Sequence, residues 1–131
     1  MNGIDYLIDT NILIYIIKGH PKVEYFAKSE ILAISYITEM EVLGKYQISE
    51  SEKQIIGNAL EHCYVFGMNA QIKQHAISIK QQIKMKLPDA IVAATAIKNN
   101  IPLVTADKDF RKVSGLDLAL VDITEIDSAL L

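Results

Sequence analysis

The chain alternates between short apolar runs and longer segments in which apolar residues recur at helical spacing. The short runs predict five strands, over 4–8, 31–35, 64–66, 102–105 and 118–121. The longer segments predict helices over 12–18, 22–28, a stretch ending near 46, 49–61, 70–85, 88–98, a turn at 109–112, and 125–131. Because strands that are apolar throughout and separated by helices are typical of a parallel sheet covered on both faces, the pattern predicts an α/β fold.

Two of these helices carry clear boundary signals. Ser49 is a good N-terminal cap, and Glu52 follows it at the spacing of a capping box. Pro88 suits the first turn of the helix that Asn99-Asn100 ends. The body of that helix, residues 90–97, is nearly apolar all round, so we expect it to be buried.

Length and composition fit one domain spanning residues 1–131. Half of the 131 residues are hydrophobic, and no low-complexity tract interrupts them. The apolar run at 12–17 is too short to cross a bilayer and lacks a basic segment before it, which predicts neither a signal peptide nor a membrane anchor. Cys63 is the single cysteine and cannot form an internal disulfide, so we expect a cytoplasmic protein.

Four carboxylates follow apolar runs or begin a predicted helix: Asp9, Glu41, Asp89 and Asp107. In a parallel sheet, ligands gather at the carboxyl edge of the strands, and all four positions fall on that edge. Desolvating several carboxylates together is costly unless a cation neutralises them. The pattern therefore predicts a metal site, with Asp109 as a possible further ligand.

Each acid also has a purely structural interpretation. Asp9 could cap the following helix, and Glu41 stands three residues after Thr38, the capping-box spacing. Asp89 could interact with a helix dipole, and Asp107 could belong to a turn. Placement of all four on one edge favours the metal site, because four independent caps would not require it.

Charge is unevenly distributed along the chain, although the formal net charge is only −3. Residues 1–68 hold nine acids and five lysines, whereas residues 69–131 hold seven acids and eight basic residues. Between 73 and 112 the acids are candidate ligands only, so the remaining surface is basic and suits a phosphate backbone. The alternative is that lysines simply solvate helix faces. The candidate backbone contacts are Lys84, Lys86, Lys108 and Arg111.

The segments LIDTNILI, SYITEMEVLGK and LPDAIVAATAIKNNIPLVTADKDF resemble PIN-domain nucleases, and among them the VapC-like toxins of toxin–antitoxin pairs. The resemblance covers nearly the whole chain. It implies a three-layer α/β/α fold with a short central parallel sheet, and an acidic quartet of Asp9, Glu41, Asp89 and Asp107 that holds Mg²⁺ or Mn²⁺. Hydrogen-bonding residues that order the site are implied at Thr10, Asn11 and Thr105.

The resemblance further implies metal-dependent cleavage of RNA, a homodimer, and inhibition by an antitoxin encoded alongside. Four acids without histidine suit Mg²⁺ or Mn²⁺ better than zinc. The chain departs from the family at Ala106, where many relatives carry Arg or Asn before the last acid. The resemblance therefore does not identify the groups that contact the substrate.

Two other enzyme classes fit the sequence less well than a nuclease does. A phosphatase of the haloacid-dehalogenase type needs a second acid two residues after the first, where this chain has Asn11. A receiver domain needs a phosphorylatable Asp after the third strand, where the chain reads Phe66-Gly67-Met68. The open alternatives are a non-catalytic RNA- or protein-binding module and a stand-alone RNA-processing nuclease.

Overall fold

The computed structural model describes residues 3–29 and 31–123. Its centre is a five-stranded sheet in the order β3-β2-β1-β4-β5, in which every neighbouring pair is parallel. The strands are β1 Tyr6–Ile8, β2 Leu32–Ser35, β3 Cys63–Phe66, β4 Leu103–Thr105 and β5 Leu118–Leu120. The α/β prediction is confirmed, whereas the helix predicted over 125–131 lies outside the described residues.

Six α-helices and two short 3₁₀ helices connect and cover the strands in this part of the chain. The α-helices are α1 Thr10–Ile17, α2 Glu24–Ala27, α3 Tyr36–Leu43, α4 Glu50–Leu60, α5 Ala70–Gln82 and α6 Leu87–Asn99. The 3₁₀ helices are Pro21–Val23 and Lys108–Lys112. None of the helices in the described ranges is long and apolar enough to cross a membrane.

Alternate residues of each central strand enter two separate cores, which makes the molecule three-layered. Leu7 packs in the core beneath α5 and α6, whereas its neighbour Ile8 packs in the core beneath α1, with Val42 of α3. This alternation is the period of two that a strand buried on both faces requires. The body of α6 is buried from Ala90 to Ala96, as its apolar sequence predicted.

The helix predicted over 70–85 ends early, at Gln82. Ile83 is extended, with φ −136° and ψ 154°. This turn of the chain buries Met85 in the core, and the Lys80 ammonium donates to the Met85 carbonyl at 2.6 Å. Burial of Met85 therefore outweighs continuation of the helix.

Three other helix predictions were wrong in extent. The helix expected to reach residue 46 ends at Leu43, because Gly44 brings its Cα close to the Met40 carbonyl, where a Cβ would lie only 2.5 Å from that oxygen. The helix predicted over 22–28 is a 3₁₀ turn followed by the four-residue α2. Helix α1 begins two residues before the predicted start because Asp9 caps it.

Candidate active site

Asp9 lies where β1 gives way to α1 and is the most buried acid of the site, with 8% of its surface exposed. One carboxylate oxygen accepts a hydrogen bond from the Ile12 amide at 2.9 Å, which caps α1. The other accepts from the Thr105 hydroxyl at 2.5 Å. The capping interpretation of Asp9 is therefore correct, but capping uses only one of its two oxygens.

Within the described part of the chain, no cationic side chain forms an ion pair with Asp9. Burial raises the pKa of its carboxyl to about 6, although the bonds from Thr105 and Ile12 act in the opposite direction. Asp89 and Asp107 raise the pKa of Asp9 further by repulsion. This edge of the sheet therefore holds negative charge that the protein stabilises only in part.

Thr105, the last residue of β4, connects two of the acids. Its hydroxyl is fully buried, donates to Asp9 and accepts from the Asp107 amide at 3.0 Å. The Asp107 carboxylate in turn accepts from the Asp109 amide at 2.9 Å and caps the 3₁₀ helix that follows. One buried hydroxyl therefore fixes both the Asp9 side chain and the backbone of Asp107.

Glu41 reaches the same edge from α3. The Thr10 hydroxyl donates to a Glu41 carboxylate oxygen at 2.5 Å, and the Thr10 oxygen lies 3.2 Å from the buried hydroxyl of Thr38. Glu41 itself is exposed. The capping-box interpretation is wrong, because Ser35 caps α3 and Thr38 lies inside the helix.

Asp89 stands in the first turn of α6 and is half-buried. Burial raises the pKa of its carboxyl, and repulsion from Asp107, Glu41 and Asp109 adds to the shift. Lys86, at the N-terminus of the same helix, opposes this shift. These interactions place acids from four segments of the chain near one another at one edge of the sheet, the acid edge.

The remaining predicted residues have different surroundings. Asn11 is exposed on the first turn of α1 and makes no side-chain hydrogen bond within residues 3–29 and 31–123. Lys84, Lys86, Lys108 and Arg111 are all exposed, and Lys86 is the one whose charge acts on an acid of the site. The place of the Thr38 hydroxyl at the site was not predicted from the sequence. Its position about one helical turn before Glu41, on the same helix face, could have indicated this.

The donor chemistry of this edge fits a hard divalent cation. The acids and the two threonines present only oxygen donors, and among the residues that the structure describes no cation pairs with the buried Asp9 carboxylate. In the described ranges, however, no three His, Cys, Asp or Glu side chains are grouped so that they could already hold an ion. The Thr10 hydroxyl donates to Glu41 and the Thr105 hydroxyl to Asp9, and each carboxylate keeps further lone pairs that could bind an ion.

An apolar groove borders the acids on one side. It has a volume of about 580 Å³ and lies between α1, α3 and α4. Ile14, Ile17, Ile55 and Ile56 supply its apolar walls, and Glu41 stands at its edge. The groove therefore joins an apolar surface directly to an acid of the site.

Known proteins resemble the chain over most of its length. The PIN domain family model matches residues 6–116. Ribonuclease VapC2 of Rickettsia felis is 28% identical over 135 residues, covering 86% of this chain and 95% of the relative.

Solved structures give the same picture. A chain of a toxin–antitoxin complex from Klebsiella pneumoniae is 33% identical, with a TM-score of 0.73 and coverage of 86% of this chain and 95% of that one. A chain of VapBC-1 from nontypeable Haemophilus influenzae is 28% identical, with a TM-score of 0.74 and coverage of 89% and 98%. The structural likeness therefore extends over most of the fold.

Proposed function

Because the chain belongs to the PIN domain family, as its motifs predicted, we propose that it is a metal-dependent endoribonuclease and the toxin of a toxin–antitoxin pair. The names of its similar proteins, a ribonuclease and a toxin–antitoxin complex, support this activity and this role. The observation that carries the proposal is the convergence of acids from four chain segments around the buried Asp9.

In this proposal Asp9, Glu41 and Asp89 hold the principal ion, Mg²⁺ or Mn²⁺. Asp107 completes the site or helps to hold a second ion, and Asp109 is an additional candidate ligand. When bound, the ion would supply Lewis acidity for hydrolysis of a phosphodiester and would offset the charge of the phosphate.

The other site residues position these acids and the substrate. Thr105 orients Asp9 and fixes the backbone of Asp107, and Thr10 holds Glu41 at the edge of the site. Asn11 is exposed beside them and available to the substrate. The exposed cations Lys84, Lys86, Lys108 and Arg111 would bind the RNA backbone, and the charge of Lys86 already acts on Asp89.

The direct test is incubation of single-stranded RNA with the purified protein and Mn²⁺, with an EDTA-treated sample beside it. Internal cuts that require the metal are expected. A protein that leaves RNA intact under both conditions is not this enzyme, and equal cutting with and without EDTA would remove the metal from the proposal.

Metal binding should also be visible in thermal melts. An ion at about ten times its Kd stabilises the folded state by about 1.4 kcal/mol, which raises the Tm by about 5 °C. Asp89→Asn should lose this response, whereas the exposed Asp117→Asn should keep it. An unchanged wild-type Tm in Mn²⁺ would contradict the metal site.

The apolar groove beside Glu41 supports the antitoxin as a partner, because exposed apolar walls suit a protein segment. Ile55 is 52% exposed on this groove. Ile55→Lys should weaken inhibition by the antitoxin about tenfold, since it places a charge in an apolar contact, and should leave RNA cleavage unchanged. Ile31→Lys, away from the groove, is the matched control. Equal inhibition of both variants would place the antitoxin elsewhere.

We further propose that the protein is a cytoplasmic homodimer, as the family resemblance implies. Light scattering on the purified chain, with and without its antitoxin, measures the number of copies directly. If the measured mass equals that of a single chain at all concentrations, the dimer proposal is wrong.

A further inference from the structure

The two helical layers differ in charge. Helix α5, on the outside of one layer, contains no Asp or Glu in its 13 residues and has no acid in its first turn. An exposed helix ordinarily gains stability from acids at its N-terminus and from Glu–Lys pairs along its face. From 70 to 114 the acids are Asp89, Asp107 and Asp109, all at the acid edge, against eight Lys and Arg residues.

The two helical layers also differ in how many of their cations form ion pairs. On the other side of the sheet Lys28, Lys45 and Lys53 each pair with a glutamate, at 3.0, 2.6 and 3.1 Å. All eight cations of residues 70–114 are exposed, and within the described ranges Lys112 is the one that forms an ion pair. Within the described residues, the other seven cations of this layer therefore form no ion pair with a carboxylate.

Two adjoining clefts run along this layer. One of about 490 Å³ is lined by Gln71, Gln74 and Lys98, together with His75 and Ser78. The other, of about 220 Å³, shares His75 and Ser78 and adds Gln82, Lys112 and Ser114. No described acid lines either cleft, and the polar groups that do are amides, hydroxyls, an imidazole and ammonium groups.

The clefts lead to the acid edge through the 3₁₀ helix Lys108–Lys112. Lys112, at its end, lines the smaller cleft and pairs with Asp109 at 3.5 Å. Asp107 caps the start of the same helix and lies at the acid edge. A basic and amide-rich track therefore runs from the acids across α5 to Lys98.

We propose that this track binds the phosphodiester backbone of single-stranded RNA beyond the cut, a proposal that rests on the proposed ribonuclease function. Ammonium groups offset phosphate charge, and glutamine and serine side chains donate hydrogen bonds to phosphate and sugar oxygens. A membrane surface fits less well, because an interfacial helix needs an apolar outer face, and α5 exposes only Ile77 as a large apolar residue.

The test compares two variants with the same change in net charge. Gln74→Glu with Lys98→Glu alters the track, whereas Lys22→Glu with Asn58→Glu alters exposed positions of the opposite layer. Binding of fluorescent single-stranded RNA of about 20 nucleotides is measured in EDTA, where metal-dependent cleavage is absent. Since α5 is about 20 Å long, such an RNA spans the track, and one of about four nucleotides does not.

The track variant should bind the longer RNA about tenfold more weakly than the control, and its salt slope should fall by about one. With Mn²⁺, it should cleave the short RNA at the control rate and show a raised KM for the long RNA alone. Equal RNA binding by the two variants overturns the proposal. It is also overturned if the track variant loses binding to vesicles of anionic phospholipid but keeps its RNA binding.

The same assays separate this proposal from the proposed function. Suppose that the wild-type protein cuts no RNA but the track variant binds RNA more weakly than the control. The binding track then stands, and the nuclease proposal is wrong. If both variants cleave RNA in a metal-dependent way with identical KM values for the long RNA, the nuclease proposal stands and the track proposal is wrong.

Discussion

Replacing Asp9 with Asn is expected to reduce Mn²⁺-dependent RNA cleavage at least about 10³-fold, the scale on which essential groups act. Asn keeps an oxygen for the Ile12 amide, so the cap of α1 is preserved. The change removes the charge of the buried carboxylate around which the other acids lie. Initial cleavage rates of an RNA at saturating Mn²⁺ give the measurement.

The matched control is Asp117→Asn, an exposed carboxylate that precedes β5 and lies outside the site. It should cleave RNA at the wild-type rate. Circular dichroism melts of both variants establish that they are folded. Full activity in a folded Asp9→Asn protein would show that the acid edge is not where RNA is cut.

The metal-free protein should lose stability as pH rises from about 4.5 to about 7.5, with about 2 kcal/mol of the loss due to Asp9. Its pKa is about 6 in the folded state and near the ordinary value of 3.8 when unfolded. Between these values the folded state binds more protons, so raising the pH favours unfolding. The penalty is absent below the unfolded pKa and complete above the folded one.

Urea unfolding in EDTA at the two pH values measures this penalty. Asp9→Asn lacks the titrating group, so its stability should change with pH by about 2 kcal/mol less than that of the wild type. Asp117→Asn should follow the wild type. If wild type and Asp9→Asn have the same pH dependence, then the carboxyl is not held in the buried, repulsive environment described above.

Much of the fold could be predicted because several local signals agree with the tertiary structure. Pro88 and the apolar body of α6 indicate a buried helix, and the structure buries Ala90 to Ala96 completely. Asp9, Glu41 and Asp107 could be placed on one edge because they follow parallel strands that all end there. Asp89 could be placed there because it begins the helix that runs back antiparallel to β4. The position of an acid relative to its strand therefore carried the information.

The contacts between distant side chains could not be predicted in this way. Thr38 stood at capping-box spacing, but Ser35 is the cap, and the Thr38 hydroxyl instead lies beside Thr10. The end of α5 was missed because it depends on burial of Met85, which follows from packing against other elements. Spacing along the chain fixes local geometry, whereas these outcomes depend on residues that meet only in the folded protein.

The hydrogen bond between Asp9 and Thr105 joins residues 96 positions apart. β1 pairs with β2 on one side and β4 on the other, so the Asp9 carboxylate acquires its partner only after β4 has been added to the sheet. During translation, a ribosome must release nearly the whole polypeptide before the bond can form. Incomplete products that stop before β4 would therefore be harmless to the RNA of the cell that makes them.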